Sequence, residues 1–217
     1  MAADAPDVWR LERETAAAGY GAIAGVDEVG RGPLAGPVVS AAVILPPAFG
    51  GSGKKRGITD SKKISPKKRQ LLYDTIYFEA QSIGIGIVDV KEIDRRNILQ
   101  AALSSMAIAV ANLLPQPEFL LIDGKFPIHS PLPQKAVIKG DRLSLSIAAA
   151  SIIAKVTRDQ LMIHYDKDYP TYGFARHKGY PTKAHLAAVR QHGRCPIHRC
   201  SFRGVPSQLP LFSCNAQ

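Results

Sequence analysis

Acidic residues are scarce in this 217-residue chain: 18 Asp and Glu stand against 28 Lys and Arg, a formal net charge of +10. None falls between Tyr169 and the C-terminus. Cysteine is scarcer still, with three residues, Cys195, Cys200 and Cys214. An odd number gathered near the end does not suit a disulfide framework and points to a reducing compartment. The stretch "HGRCPIHRC", His192 to Cys200, mixes His and Cys, but it lacks a paired C-x-x-C and would crowd four ligands onto one loop, which argues against structural zinc. No apolar run approaches the roughly 18 residues that cross a bilayer, and "MAADAPDVWRLERE" has no basic segment followed by an apolar one. A membrane partner is therefore not expected, and the expected location is the cytoplasm.

What is present is an ordinary globular composition, 46% hydrophobic and 21% charged, which argues against global disorder. The length suits one catalytic-sized α/β unit. The positive charge is uneven: Lys54, Lys55, Arg56, Lys62, Lys63, Lys67, Lys68 and Arg69 crowd one segment, and the acid-free C-terminal part is a second. A charge run alone is commonly a solvated face. Two separate basic segments favour a polyanion, most economically nucleic acid, which rewards such a surface by counterion release.

The runs "AIAGVDEV" (22–29) and "VVSAAVIL" (38–45) are apolar, partly β-branched and bounded by Gly and Pro, so they predict neighbouring strands joined by the turn "GRGPLAGP". Ser65 and Pro66 open a helix as N-cap and first helical residue, with Leu71, Leu72, Ile76 and Phe78 on its apolar face. "QSIGIGIVDV" alternates at period two, and its glycines predict close packing over a strand. Residues 91–114 read as one long helix with small residues facing a sheet. "EFLLID" and "QKAVIK" read as short strands. A third helix covers much of 141–167, with Leu145, Ala148, Ile152, Val156 and Ile163 as its core stripe, and Thr182 caps a short last helix. The fold class is α/β, a mixed central sheet flanked by helices with a small helical C-terminal part.

Four carboxylates fall at predicted strand ends or turns: Asp27, Glu28, Asp123 in "LLIDGK" and Asp141 in "IKGDRLS". Asp141 could simply cap the following helix, Asp123 could start a turn, and the 27/28 pair could be solvated. Asp27, inside an apolar strand, requires a partner. No basic residue stands beside it in sequence, so the natural partner is a cation, and a hard-oxygen set of this kind suits Mg²⁺ or Mn²⁺ rather than zinc. Two such ions would activate a water and stabilise the leaving oxygen of a phosphodiester.

Taken as an ordered set, "GVDEVGRGPLAGP", "DSKKIS", "EIDRRNIL", "LLIDGK", "KGDRLSLSIAAASIIAKVTRD", "YGFARHKGYPT" and "HRCSF" resemble the blocks of the bacterial ribonuclease HII family, from Ala22 to about Gly204. The resemblance implies an RNase H-like fold and a metal-dependent endonuclease, using Mn²⁺ or Mg²⁺ with two ions during catalysis, that hydrolyses the RNA strand of RNA/DNA hybrids. It also implies incision 5′ to single ribonucleotides embedded in duplex DNA, leaving 3′-hydroxyl and 5′-phosphate ends, in ribonucleotide and primer removal.

Residue by residue, the resemblance makes Asp27, Glu28, Asp123 and Asp141 the metal-binding carboxylates. It makes Gly30, Arg31 and Gly32 the turn whose backbone reads the ribose 2′-OH and whose arginine holds a phosphate. Glycine there lets the backbone approach the one group that marks RNA within DNA. Tyr180 matches the tyrosine that packs on the deoxyribose after the ribonucleotide; read without the family it is a half-buried aromatic beside Pro181. Ser61, Lys62 and Lys63 match phosphate contacts, with Lys139, Lys155 and His177 as lesser neighbours. Asp159, eighteen residues past Asp141 along a helix, is too far to share the metals.

The chain departs from the pattern at Cys200, where many relatives carry a second basic residue. Residues 1–21 form an N-terminal extension holding at most a short amphipathic helix, which favours type 2 over type 3 enzymes. Residues 22–204 form the catalytic domain and 205–217 a tail. Within the tail "QLPLF" resembles the pentapeptide that docks on the bacterial sliding clamp, with Gln208, Leu209, Leu211 and Phe212 as contacts; folding back onto the domain is the alternative. The expected partners are RNA/DNA hybrid, ribonucleotide-containing duplex DNA and the clamp, with the protein a monomer. A DNA-directed nuclease of the same fold, or a non-catalytic nucleic-acid binder, are the competing classes. The Gly-Arg-Gly turn speaks against the first and the complete carboxylate set against the second.

Overall fold

The apolar runs become five strands, Ile23–Val29 (β1), Val38–Ile44 (β2), Ser82–Val88 (β3), Phe119–Asp123 (β4) and Gln134–Val137 (β5), in a computed structural model that describes residues 7–49 and 64–206. Ser61, Lys62 and Lys63, and Gln208, Leu209, Leu211 and Phe212, lie outside the described residues. The strand order is β3-β2-β1-β4-β5. β1 runs antiparallel to β2 and parallel to β4, so the sheet is mixed as predicted. The β1–β4 register pairs Val26 with Ile122, which places Asp27 beside Asp123 at the carboxyl ends of two parallel strands.

Helices cover both faces. Leu145–Asp168 (α5) packs on one face through Leu145, Ala148, Ala149, Ile152 and Ile153 against Val39, Ala41 and Val43. Ile98–Ala111 (α4) covers the other through Met106, Ala109 and Val110. The glycines make these approaches possible. A Cβ on Gly25 would collide with the backbone of Ser146, and Cβ atoms on Gly84 and Gly86 would collide with the carbonyls of Ala109 and Ser105. Ser40 on β2 and Ser105 on α4, both buried, share a 2.5 Å hydrogen bond across that interface.

Three sequence expectations change. The single helix predicted over 91–114 is two, Val90–Arg96 (α3) and α4, broken at Asn97, whose φ is +75° and whose Oδ1 accepts from the N–H groups of Leu99 and Gln100. With ψ 160° this backbone lies in a strained region that non-glycine residues rarely occupy, and the N-cap bonds of the Asn side chain offset that strain. In α5 the stripe shifts: Met162 is buried and Ile163 is exposed. In Pro66–Glu79 (α2), Leu72 and Ile76 reach the core, whereas Leu71 and Phe78 face outward, Phe78 at 84% exposure.

The N-terminal helix Arg10–Ala17 (α1) docks on the start of α5. Glu12 is buried, and its Oε1 accepts from Ser144 Oγ at 2.6 Å, Ser146 N at 2.9 Å and Ser146 Oγ at 2.8 Å. A carboxylate at that position also complements the helix N-terminus.

The C-terminal part, with helices Phe174–His177 (α6) and Lys183–His192 (α7), is built around buried histidines. His198 Nδ1 accepts from Cys195 N–H at 3.0 Å, which leaves its Nε2–H to donate to His185 Nε2 at 3.0 Å. His185 Nδ1–H then donates to the Tyr180 carbonyl at 2.9 Å. Both rings are neutral in this chain of bonds. Burial, and secondarily the neighbouring His185, push His198 down to about 4.

The sign of the pH effect follows. An unfolded histidine titrates near 6.5, so between pH 6.5 and about 4 the unfolded chain binds a proton that the folded chain refuses. Stability is full above pH 6.5 and falls as the pH drops, by at most about 3 kcal/mol for a shift of this size. Urea midpoints measured from pH 7.5 to pH 4.5 should decline, and His198→Gln should be less stable at pH 7.5 but show a shallower decline. An unchanged slope in that variant would remove His198 as the cause.

Candidate functional site

Among the described residues one acidic cluster has the geometry to hold a metal: Asp27, Glu28 and Asp123 each offer a carboxylate oxygen within 4.8 Å of the others. Asp27 is 6% exposed. Burial first, then the charges of Glu28 and Asp123, raise its carboxyl well above the ordinary range. Its Oδ1 accepts from the Glu28 N–H at 2.7 Å, and the Ser151 side chain also bonds to it. Glu28 is raised too, chiefly by burial, with Arg31 opposing the shift. Three carboxylates of which two resist ionisation, one being buried, suit a hard divalent cation, which supplies the charge that their crowding lacks.

Asp141 is not part of that cluster. It lies in the short 3-10 turn Gly140–Arg142, immediately after Gly140, whose N–H donates to Asp123 Oδ1 at 2.6 Å. The backbone carrying Asp141 is therefore pinned to the cluster through Asp123, and its carboxylate falls outside the set of three whose oxygens lie within 4.8 Å of one another.

The cleft beside the cluster, about 250 Å³, is lined by Asp27, Glu28, Val29, Arg69, Ser151, Lys155 and Tyr180. Lys155 Nζ bonds to Asp159 Oδ1 at 2.6 Å, with Arg69 at 4.0 Å from the same carboxylate. Asp159 is thus outside the cluster, as the sequence argument held, and sits among the basic residues of the cleft wall. His177 is not at the site: its Nε2 meets the Tyr172 carbonyl at 2.8 Å and its ring stacks on His185 at 4.4 Å.

The turn after β1 departs from expectation in what its glycines do. Gly30 has φ +99°, and a Cβ there would collide with the side chain of Arg158. The inner face of the turn, not the outer, excludes a larger residue at 30. At Gly32 a Cβ would meet only Tyr180 Cε1, at 3.7 Å, so this glycine borders the tyrosine. Arg31 reaches back to Glu28 Oε1 at 3.3 Å and is largely exposed.

Two arginines that no motif reading singled out hold the turn, and both are 0% exposed. Arg199 Nη2 donates to the carbonyls of Gly30 at 2.6 Å and Gly36 at 2.8 Å, its Nε to Gly36 at 3.0 Å, and its Nη1 to Arg31 at 3.1 Å. Arg158 donates from Nε to Pro37, from Nη2 to Ala35 and from Nη1 to Lys178, all at 2.9–3.0 Å. Because a trans peptide sets each N–H opposite the preceding carbonyl, carbonyls of Gly30 and Arg31 tied to Arg199 turn the N–H groups of Arg31 and Gly32 the other way. A signal was present in the sequence: Arg158 stands on a helix face between Ala154 and Met162, both fully buried.

Removing charge from the cluster tests its electrostatics. With divalent ions chelated, Asp27→Asn should melt about 2–5 °C above the wild type, because a buried repulsion is relieved while the Glu28 N–H keeps an acceptor. Added Mn²⁺ should raise the wild-type melting temperature and leave the variant nearly unmoved. A variant that melts lower without metal would contradict the crowding argument.

Three comparisons bear on what this site belongs to. The family model described as Ribonuclease HII matches residues 24–205. A ribonuclease HII of Geobacter sulfurreducens is 54% identical over 209 residues, 96% of this chain and 94% of that protein. Among solved structures, the ribonuclease H2 of Pyrococcus horikoshii OT3 superposes with a TM-score of 0.73 at 26% identity, covering 86% of this chain and 96% of that one. The PCNA:RNase HII complex from Archaeoglobus fulgidus contains a chain that superposes at 0.65 with 26% identity, covering 84% and 95%.

Proposed function

The chain belongs to the ribonuclease HII family, divalent-metal-dependent endonucleases that hydrolyse the RNA strand of RNA/DNA hybrids, and we propose that Asp27, Glu28, Asp123 and Asp141 hold the metal for that reaction here. The protein is a ribonuclease H that also incises 5′ to single ribonucleotides in duplex DNA, leaving a 3′-hydroxyl and a 5′-phosphate. The observation that carries the site assignment is the cluster at the carboxyl ends of β1 and β4, directly followed by the turn at Gly30.

Bound by these carboxylates, Mn²⁺ or Mg²⁺, two ions during catalysis, would supply the charge that lets a phosphodiester approach and the Lewis acidity that activates a hydrolytic water. Every other part of the work falls to side chains and backbone. Asp27, fixed by the Glu28 amide and Ser151, presents its carboxylate at one position, and Asp123, held by Gly140, presents the facing one. Preorganised ligands of this kind lower the reorganisation that the transition state would otherwise require.

The N–H groups of Arg31 and Gly32 read the ribose 2′-OH. Arg31 exchanges its Glu28 partner for a substrate phosphate, which frees that carboxylate at the moment the substrate arrives. Tyr180, at the rim of the same cleft, packs on the deoxyribose that follows the ribonucleotide. Lys155 and Arg69 give the cleft wall a positive flank for the backbone, and Ser61, Lys62 and Lys63 add phosphate contacts.

In this reading residues 22–204 are the catalytic domain, preceded by an extension and followed by a tail, and the protein works as a cytoplasmic monomer. The tail's "QLPLF", Gln208 to Phe212, docks on the sliding clamp through Leu209, Leu211 and Phe212. A related chain solved in complex with PCNA supports clamp association in this family. Replacing Leu211 and Phe212 by Ala should abolish retention on immobilised clamp; equal retention would remove the motif.

The deciding measurement compares duplexes containing no ribonucleotide, one, or a run of them, with Mg²⁺ and with Mn²⁺. The all-DNA duplex should stay intact and the other two should be cut. Asp27→Asn should lower the cleavage rate by about 10³-fold or more while substrate binding stays within a few-fold, the pattern of a group needed mainly in the transition state. Wild-type rates in that variant would sink the carboxylate assignment, and cutting of all-DNA would transfer the protein to the DNA-directed class.

A further inference from the structure

Arg158 and Arg199 grip the same turn, yet their contacts differ in one respect. All four bonds of Arg199 go to Gly30, Arg31 and Gly36, within the turn. Arg158 divides its bonds between two segments: Ala35 and Pro37 on the turn, and Lys178, two residues before Tyr180. A second tie runs alongside, with Leu34 N–H donating to the Gly179 carbonyl at 2.8 Å.

The Tyr180 segment is shaped to accept this bridge. Lys178 and Gly179 are both left-handed, with φ of +52° and +83°, an arrangement that aims the Lys178 carbonyl at Arg158. A Cβ on Gly179 would lie 2.5 Å from the Ala35 carbonyl oxygen, so the two segments touch with no room between them. Tyr180 is further held by its own N–H to His177 O at 2.9 Å and by His185 on its carbonyl. The ring then stands beside Gly32.

We propose that Arg158 is a positioning residue that sets junction specificity: its guanidinium fixes the spacing between the backbone that reads the 2′-OH and the ring that reads the next sugar. The inference rests on the roles given above to the turn and to Tyr180. A guanidinium is suited to it because its donors diverge in one rigid plane and can serve carbonyls on two segments together, whereas an ammonium is a point donor on a flexible stem. Arg199, confined to the turn, holds the 2′-OH reader alone. Loosening it weakens recognition of any ribonucleotide; loosening Arg158 weakens only what requires reader and ring in register. A duplex with one ribonucleotide presents an RNA-to-DNA junction at the cut, and a continuous RNA/DNA hybrid presents none in its interior.

The test is kcat/KM on those two duplexes for the full chain with Mn²⁺. Tyr180→Ala serves as reference and should lower the single-ribonucleotide to hybrid ratio. Arg158→Lys should lower the ratio by about 10-fold or more, the scale expected when reacting groups are misplaced by a fraction of an ångström to an ångström. Gly179→Ala, which wedges the segments apart with Arg158 intact, should shift the ratio the same way and decides the matter if Arg158→Lys does not fold. Arg199→Lys should lower both substrates by a similar factor. If Tyr180→Ala shifts the ratio while Arg158→Lys and Gly179→Ala, both with wild-type Mn²⁺-induced stabilisation, lower both substrates equally, the bridge is structural only and the proposal fails. If Tyr180→Ala leaves the ratio unchanged, the role given to the tyrosine fails, and the proposal with it.

Discussion

Two guanidinium groups without solvent contact set the form of the turn after β1, and everything built on that turn inherits their geometry. Taking a charged side chain out of water costs several kcal/mol unless each donor finds an acceptor. Here the acceptors are backbone carbonyls, of Gly30, Arg31, Ala35, Gly36, Pro37 and Lys178. The dependence runs both ways: the turn cannot relax without stranding a buried charge, and the arginines cannot leave without stranding six carbonyls. Gly30 and Gly36 complete the arrangement, since side chains there would enter the space of Arg158 and Met162. Burial lowers both groups, Arg158 to about 10 and Arg199 to about 9, still on the charged side of neutrality.

The same economy of elements appears at the acid cluster. One parallel strand pair supplies three carboxylates, and each is secured by a backbone amide or a neighbouring side chain. Among the described residues, the lysine lining the cleft, Lys155, is committed to Asp159. Among those residues Arg31 opposes the crowding, at Glu28, and a site held in this way favours divalent cations over a resident side chain. The positive charge of Lys155 and Arg69 gathers instead around Asp159 on the cleft wall.

Much of this was legible in the sequence, for reasons that can be named. Strands β1 to β4 are marked by β-branched or alternating runs, and the α2 and α7 boundaries by Ser65 with Pro66 and by Thr182. The three clustered carboxylates were legible because an Asp inside "AIAGVDEV" has no cheap structural explanation. Arg199 and the Asn97 break were not, and Arg158 was marked only by its place between Ala154 and Met162 on one helix face. Nothing local distinguishes Arg199 as buried, because its acceptors lie more than 160 residues away. Asn97 looks like one polar residue within a helical pattern until its φ is known. Gly30 was read as making room for substrate when it makes room for a side chain behind it. Glu12 was invisible for a similar reason, since its partners Ser144 and Ser146 belong to another helix.

The separation between Arg199 and the turn it holds has a consequence for how the protein comes into being. The bond from Arg199 to the Gly30 carbonyl spans 169 of 217 residues, and such contacts close late because the loop entropy must be met before the contact rewards it. During synthesis, a ribosome-bound chain can therefore pair β1 with β2 and fold most of its sheet while the turn after β1 is still without its latch. The acidic cluster would be assembled before the turn beside it is fixed. Because the latch is Arg199, the turn acquires its final shape only after all five strands have left the ribosome.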